Sequence, residues 1–128
     1  MKLALGTAQF GFAYGVANKN GQVSNREVKA IIESARNANV DTIDTAIAYG
    51  ESEEQLGNAG VTGFNIITKL PPVPDGQPDV AQWMNQQVGS SHSRLKIQQL
   101  DGLLLHQPSQ LLESSGEELW QAAHSLKA

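Results

Sequence analysis

Four side chains in this sequence have types and positions that could work together: Asp44 and Tyr49 in one short stretch, Lys69 further along, and His106 near the last quarter of the chain. Asp44 and Tyr49 are five residues apart in Asp41-Thr42-Ile43-Asp44-Thr45-Ala46-Ile47-Ala48-Tyr49-Gly50, which reads as a strand leaving into a glycine turn. Lys69 closes Phe64-Asn65-Ile66-Ile67-Thr68-Lys69, and His106 closes Leu103-Leu104-Leu105-His106. Singly, each has an ordinary reading: a packed tyrosine, a solvated lysine, a core histidine. Asp44 is the least ordinary, because strands are depleted in aspartate and a buried carboxylate needs a partner. Together they form an acid–base set. A phenol with a pKa of roughly 10 is a poor acid at neutral pH, but a neighbouring ammonium favours its phenolate. A carboxylate can hold that ammonium, and an imidazole can hydrogen-bond a substrate oxygen. The chemistry implied is general acid catalysis at an oxygen that gains negative charge.

For these residues to meet, their strands must be parallel neighbours, about 4.8 Å apart, with the strand ends at one mouth. The pattern along the chain supports this. Leu3 to Ala8 reads as a buried strand, followed by a Gly-rich, aromatic loop from Gln9 to Asn18. Ser24-Asn25-Arg26-Glu27 is a capping box, and Val28, Ile31, Ile32 and Ala35 then form one helical face, running to about Asn37. Ser52-Glu53-Glu54-Gln55 reads as a second capping box opening a short helix. The proline-rich stretch from Pro71 to Pro78 is a loop. Asp79 then caps a helix with a face of Val80, Trp83, Met84 and Val88, interrupted at Gly89-Ser90-Ser91-His92-Ser93. Leu100 to His106 is so continuously apolar that it reads as a strand buried on both faces. Ser114 or Ser115 caps a last helix with Leu119, Ala122, Ala123 and Leu126 inward. Strict alternation of strand and helix implies parallel strands with right-handed crossovers. The expected fold is therefore α/β, four parallel β-α units over residues 1–128 in a single domain: half of a (β/α)8 barrel, which typically takes about 250 residues. An open four-stranded doubly wound sheet is the alternative.

Composition narrows the function classes. The chain has 128 residues, a net charge of −4 and no cysteine, so thiolate chemistry, disulfides and cysteine metal sites are excluded. Charges are dispersed, with no basic stripe for nucleic acid and no membrane patch. No apolar run reaches the length of a signal peptide or a membrane span, which makes a cytoplasmic location the default. His92, His106 and His124 lack ligand spacing, so no metal is expected. A phosphate-binding open sheet has little support, since no Gly-rich phosphate loop occurs.

Several of these segments carry a resemblance. Asp44-Thr45-Ala46-Ile47-Ala48-Tyr49-Gly50 with Glu53-Glu54-Gln55-Leu56-Gly57, together with Ile67-Thr68-Lys69, Leu103-Leu104-Leu105-His106-Gln107-Pro108 and the opening Leu5-Gly6-Thr7, resembles the aldo-keto reductases in order and spacing. The resemblance implies a (β/α)8 barrel, NADP or NAD as cofactor, and reversible reduction of aldehydes and ketones. Position by position, it implies Tyr49 as proton donor with Lys69 easing release of its proton. Asp44 would pair with Lys69 beside the nicotinamide ribose, His106 would orient the carbonyl, and Gly6 and Thr7 would lie near the cofactor. Phe10, Phe12 and Tyr14 match the family loosely and are expected to be loop packing. The family continues into further strands whose loops hold most of the dinucleotide, so this sequence is expected to correspond to the N-terminal half-barrel. A half-barrel leaves strand edges that invite pairing with another chain, so a homodimer or larger self-association is expected. The alternative to an enzyme is a non-catalytic half-barrel assembly or folding module that self-associates.

Overall fold

The computed structural model describes residues 2–126, so the ends of the expected 1–128 domain lie outside the described residues. Four strands, β1 (Ala4–Gly6), β2 (Thr42–Asp44), β3 (Asn65–Leu70) and β4 (Gly102–Leu105), form one sheet in chain order, each parallel to its neighbour. Between and after them lie α1 (Ala8–Gly11), α2 (Asn25–Asn37), α3 (Ser52–Ala59), α4 (Val80–Leu95), a 3-10 turn (Pro108–Leu112) and α5 (Gly116–Ser125). This is the four-unit half of a (β/α)8 barrel, as the alternation of patterns implied.

Register assigns every strand residue to one of two faces. Ile43, Ile66, Thr68 and Leu70 are buried and point toward the helices, whereas Asp44, Ile67 and Lys69 alternate with them on the opposite, inner face. Two apolar clusters lie under the helices. Val28, Ile32, Ile43, Leu56 and Ile66 bind α2 and α3 to the first half of the sheet. Leu70, Val80, Trp83, Met84 and Leu119 bind α4 and α5 to the second half. Helices α3 and α4 approach so closely that a side-chain carbon at Gly57 would strike the Arg94 carbonyl.

Several expectations need correction. Residues 8–11 of the expected strand and loop form the one-turn helix α1, seeded by Phe10, which is buried in the first cluster. Helix α4 is not interrupted at Gly89–Ser93 but runs unbroken to Leu95. Its serines are weak helix formers, yet Ser91 is fully buried by a tertiary partner, and packing overrides propensity. The Ser52–Gln55 capping box does not form: Glu51 is the N-cap, and Ser52 turns inward to Thr7. Ser115 occupies the N-cap of α5 without a side-chain hydrogen bond. β4 is not buried on both faces: its inner-face Leu104 is 47% exposed, because that face is uncovered among the described residues. Ser24–Glu27 and Asp79 do cap as expected.

In the Ser24–Glu27 box the Ser24 hydroxyl, and then its backbone N–H, hold the Glu27 carboxyl below its usual range. A group depressed in the folded state stabilises above its unfolded-state value and loses that contribution as pH falls through its folded one. Urea unfolding of wild type and Glu27→Gln is therefore expected to differ near neutrality and to converge as pH falls through the carboxyl's lowered folded-state value. A difference that persists unchanged into acid would show that the cap does not depend on the charge.

Candidate active site

The register of the two central strands builds the site. Gly6, Asp44 and Ile67 lie level across β1, β2 and β3, and Lys69 lies one inner-face position beyond Ile67. Past Asp44 the chain continues along β3 through hydrogen bonds from Thr45 N to Ile67 O and from Ile47 N to Lys69 O, at 2.9 and 3.2 Å. It then turns at Ala46–Tyr49 and enters α3. Likewise His106 N donates to Leu70 O at 2.9 Å, so His106 extends β4 one step past its last strand residue. Asp44, Lys69 and His106 thus all emerge on the inner side at the C-terminal end of the sheet, where barrel enzymes keep their chemistry.

The Lys69 ammonium donates to Asp44 Oδ1 at 2.5 Å and to the Thr45 carbonyl at 3.0 Å. It also lies 5.2 Å from the centroid of the Tyr49 ring, on its face. The His106 ring meets Tyr49 edge-on, with centroids 5.8 Å apart and planes at 88°. Phe12 closes the other side of Tyr49 at 6.2 Å and carries Tyr14 on its own edge at 5.7 Å. The four expected residues are therefore brought together in one cluster. Lys69 is half-buried and His106 is exposed, so the cluster opens to solvent. Partly exposed ion pairs contribute only about 0–1 kcal/mol, so the Asp44–Lys69 pair orients more than it stabilises.

Gly6 and Thr7, expected near a cofactor, border the cluster, Thr7 through its backbone position. Its hydroxyl is buried and donates to the Asp44 carbonyl at 3.0 Å. The Ser52 hydroxyl can donate its single proton to Thr7 O at 3.0 Å, and Thr45 can donate to Ser52 at 3.1 Å. Three hydroxyls thus tie the ends of β1 and β2 to the start of α3, each donating its single proton, with Ser52 also accepting from Thr45. A cavity of about 260 Å³ opens beside them, lined by Gly6, Ala8, Gln9, Tyr14, Asp44 and Tyr49 among others. Among the described residues no donor takes the second oxygen of Asp44, which leaves it a free acceptor beside the cavity.

On the helix side of the sheet stands a group the sequence reading missed. Glu53 is 1% exposed. Its carboxylate accepts from Thr68 Oγ1 at 2.6 Å, Ser91 Oγ at 3.0 Å and Arg94 Nε at 2.8 Å, with Arg94 Nη2 at 2.7 Å. Burying a carboxylate costs several kcal/mol unless such partners answer it. Thr68 precedes Lys69 and points to the opposite face, so the Glu53 network fixes β3 from behind while Asp44 holds it from the front. Its sequence trace was the placement of Glu53 at a helix start, read instead as part of a capping box.

Parallel strands in chain order, with helices on the outer side and the Asp44, Tyr49, Lys69 and His106 cluster at their C-terminal ends, place the molecule in the class of β/α-barrel proteins. The chain belongs to the Aldo/keto reductase family, whose model matches residues 2–128. Among solved structures, PA4992 of Pseudomonas aeruginosa, assigned as an aldo-keto reductase, is 31% identical with a TM-score of 0.77 over 97% of this chain and 50% of its own. An aldo/keto reductase from Brucella melitensis is 25% identical, with a TM-score of 0.65 over 97% of this chain and 43% of its own. The holo form of the aldo-keto reductase AKR11C1 from Bacillus halodurans shares the fold, with a TM-score of 0.72 at 17% identity over 98% of this chain and 42% of its own. The chain thus spans about half the length of the first of these structures and somewhat less of the other two. No curated protein gives a significant match. Among the described residues, no helix is long and apolar enough to cross a membrane.

Replacing Arg94 by Met removes a hydrogen bond and an ion-pair contact from the buried Glu53 carboxylate. Chemical denaturation of Arg94→Met is expected to show a loss of about 1.5–3 kcal/mol, the range for hydrogen bonds to an ionised group. A change below about 0.5 kcal/mol, typical of surface substitutions, would mean that Glu53 does not depend on the guanidinium.

Proposed function

We propose that this chain carries the acid–base half of an NAD(P)H-dependent carbonyl reductase, acting on small aldehydes or ketones. The observation that carries the reading is the Lys69 ammonium, pinned by Asp44 and Thr45 and lying over Tyr49, with His106 at the ring edge. Asp44 and Gly6 would hold the nicotinamide end of the cofactor, which would supply the hydride. Tyr49 gives its phenolic proton to the carbonyl oxygen, so that hydride plus proton yield the alcohol. The phenolate left behind faces the Lys69 cation, which Asp44 keeps in place. An imidazole N–H of His106 orients the same oxygen. In low-dielectric surroundings such fixed charges act where charge develops. The remaining dinucleotide contacts belong to further barrel units, so the 128-residue chain by itself is expected to turn over negligibly.

A second reading, an assembly module that pairs with another copy of itself, is favoured by the outer edges of β1 and β4, unpaired among the described residues, and by the exposed Leu3, Leu104 and Trp120. Two copies would supply eight strands.

Fusing this chain to the C-terminal half of the Pseudomonas aeruginosa relative provides the decisive assay. NADPH-dependent aldehyde reduction is expected, falling about 10²–10⁴-fold in Tyr49→Phe with NADPH binding retained. A folded, NADPH-binding fusion that is inactive, or one indifferent to Tyr49→Phe, would refute the catalytic reading. Sedimentation of the unfused chain as a dimer that binds no NADPH would favour the assembly module.

A further inference from the structure

Helix α1 meets the Tyr49 turn backbone to backbone. Gly11 is buried and ends α1; a side-chain carbon there would overlap the carbonyl group of Tyr49 and come within 3.0 Å of Ser52 N. From the other side, a side-chain carbon on Gly50 would lie 2.6 Å from the Gly11 carbonyl oxygen. The two glycines have different reasons to be glycine. Gly50 has a φ of +53° as well as the close contact, whereas Gly11 does not have positive φ. Gly11 is therefore required by proximity alone. Both partners in the contact are backbone, so no side-chain rotation can relieve an added methyl.

We infer that Gly11 is a positioning residue for Tyr49. The inference rests on the proposed role of Tyr49 as proton donor, and it concerns where the ring is held. Tyr49 O accepts from Ser52 N at 3.0 Å, and Tyr49 N donates to Ala46 O at 3.0 Å. The Tyr49 backbone is thus fixed on the α3 side and on the β2 side, and Gly11 sets the third wall. Helix α1 is itself anchored. Phe10 is buried in the core, and the Gln22 amide bridges the Phe10 carbonyl at 2.9 Å and Glu51 Oε2 at 3.3 Å. Because α1 cannot retreat freely, a methyl at Gly11 displaces the Tyr49 turn, and the ring moves away from Lys69 and His106. Misplacement of a reacting group by about 1 Å can cost on the order of a hundredfold in rate.

The test reads geometry rather than turnover, so that its failure is separate from failure of the catalytic reading. In the full chain, nuclear Overhauser cross-peaks between the Tyr49 and His106 rings report the edge-on contact. Gly11→Ala is expected to abolish them while the methyl signals of Leu70, Met84 and Leu119 stay in place. Gly89→Ala, whose methyl would meet nothing within 4 Å, is expected to leave both intact. Gln22→Ala removes the strut at the surface without adding an atom and is expected to weaken the same cross-peaks. It decides the matter if Gly11→Ala does not fold. Cross-peaks of wild-type strength in folded Gly11→Ala, or in Gln22→Ala where Gly11→Ala is unfolded, would overturn the inference.

Discussion

The Lys69 ammonium has two fixed acceptors, the Asp44 carboxylate and the Thr45 carbonyl, on consecutive residues of the neighbouring strand's exit. Both stay within reach only because β2 and β3 pair with Asp44 opposite Ile67. A slip of one residue would turn Lys69 to the helix side, into the layer of Ile66, Thr68 and Leu70. The side-chain period of two along a strand makes this an all-or-none condition. The apolar residues that bury one face of β3 therefore also determine that its cation appears on the other.

The same strand is secured from both sides. In front, the ion pair is partly exposed and adds little free energy. Behind, Thr68 donates to Glu53, which Ser91 and Arg94 also hold, linking β3, α3 and α4 through one buried carboxylate. At the strand ends, the Thr7, Thr45 and Ser52 hydroxyls knit β1, β2 and α3 together. The cluster around Tyr49 thus stands on polar networks that are themselves buried and satisfied, which gives rigid positions to side chains that remain open to solvent.

Much of this was legible in the residues. Alternating periodicities gave the four β-α units; Lys69 and His106 stood out because each closed a strand pattern, and Asp44 because a carboxylate inside one is unusual. What escaped the reading was tertiary in origin. Ser52 looked like a helix cap, but a buried hydroxyl near Thr7 gave it a different partner. Gly89–Ser93 looked like a break, but Glu53 drew Ser91 into the helix interior. The leucines of β4 implied burial on both faces, since hydrophobicity alone cannot say whether the inner layer is covered. Gly11 gave no signal at all: a close backbone approach leaves no local pattern when φ is ordinary.

The most direct measurement is a double-mutant cycle on the ion pair, read at Tyr49. With ring-labelled tyrosine, the shift of the Tyr49 resonances is followed in wild type, Asp44→Asn, Lys69→Met and the double variant. If Asp44 holds the ammonium over the ring, Lys69→Met moves Tyr49 strongly in the wild-type background and weakly once Asp44 is changed, because residues acting through one contact are not additive. Additive shifts would mean that Asp44 does not position Lys69, and the account of the site as one connected unit would fail.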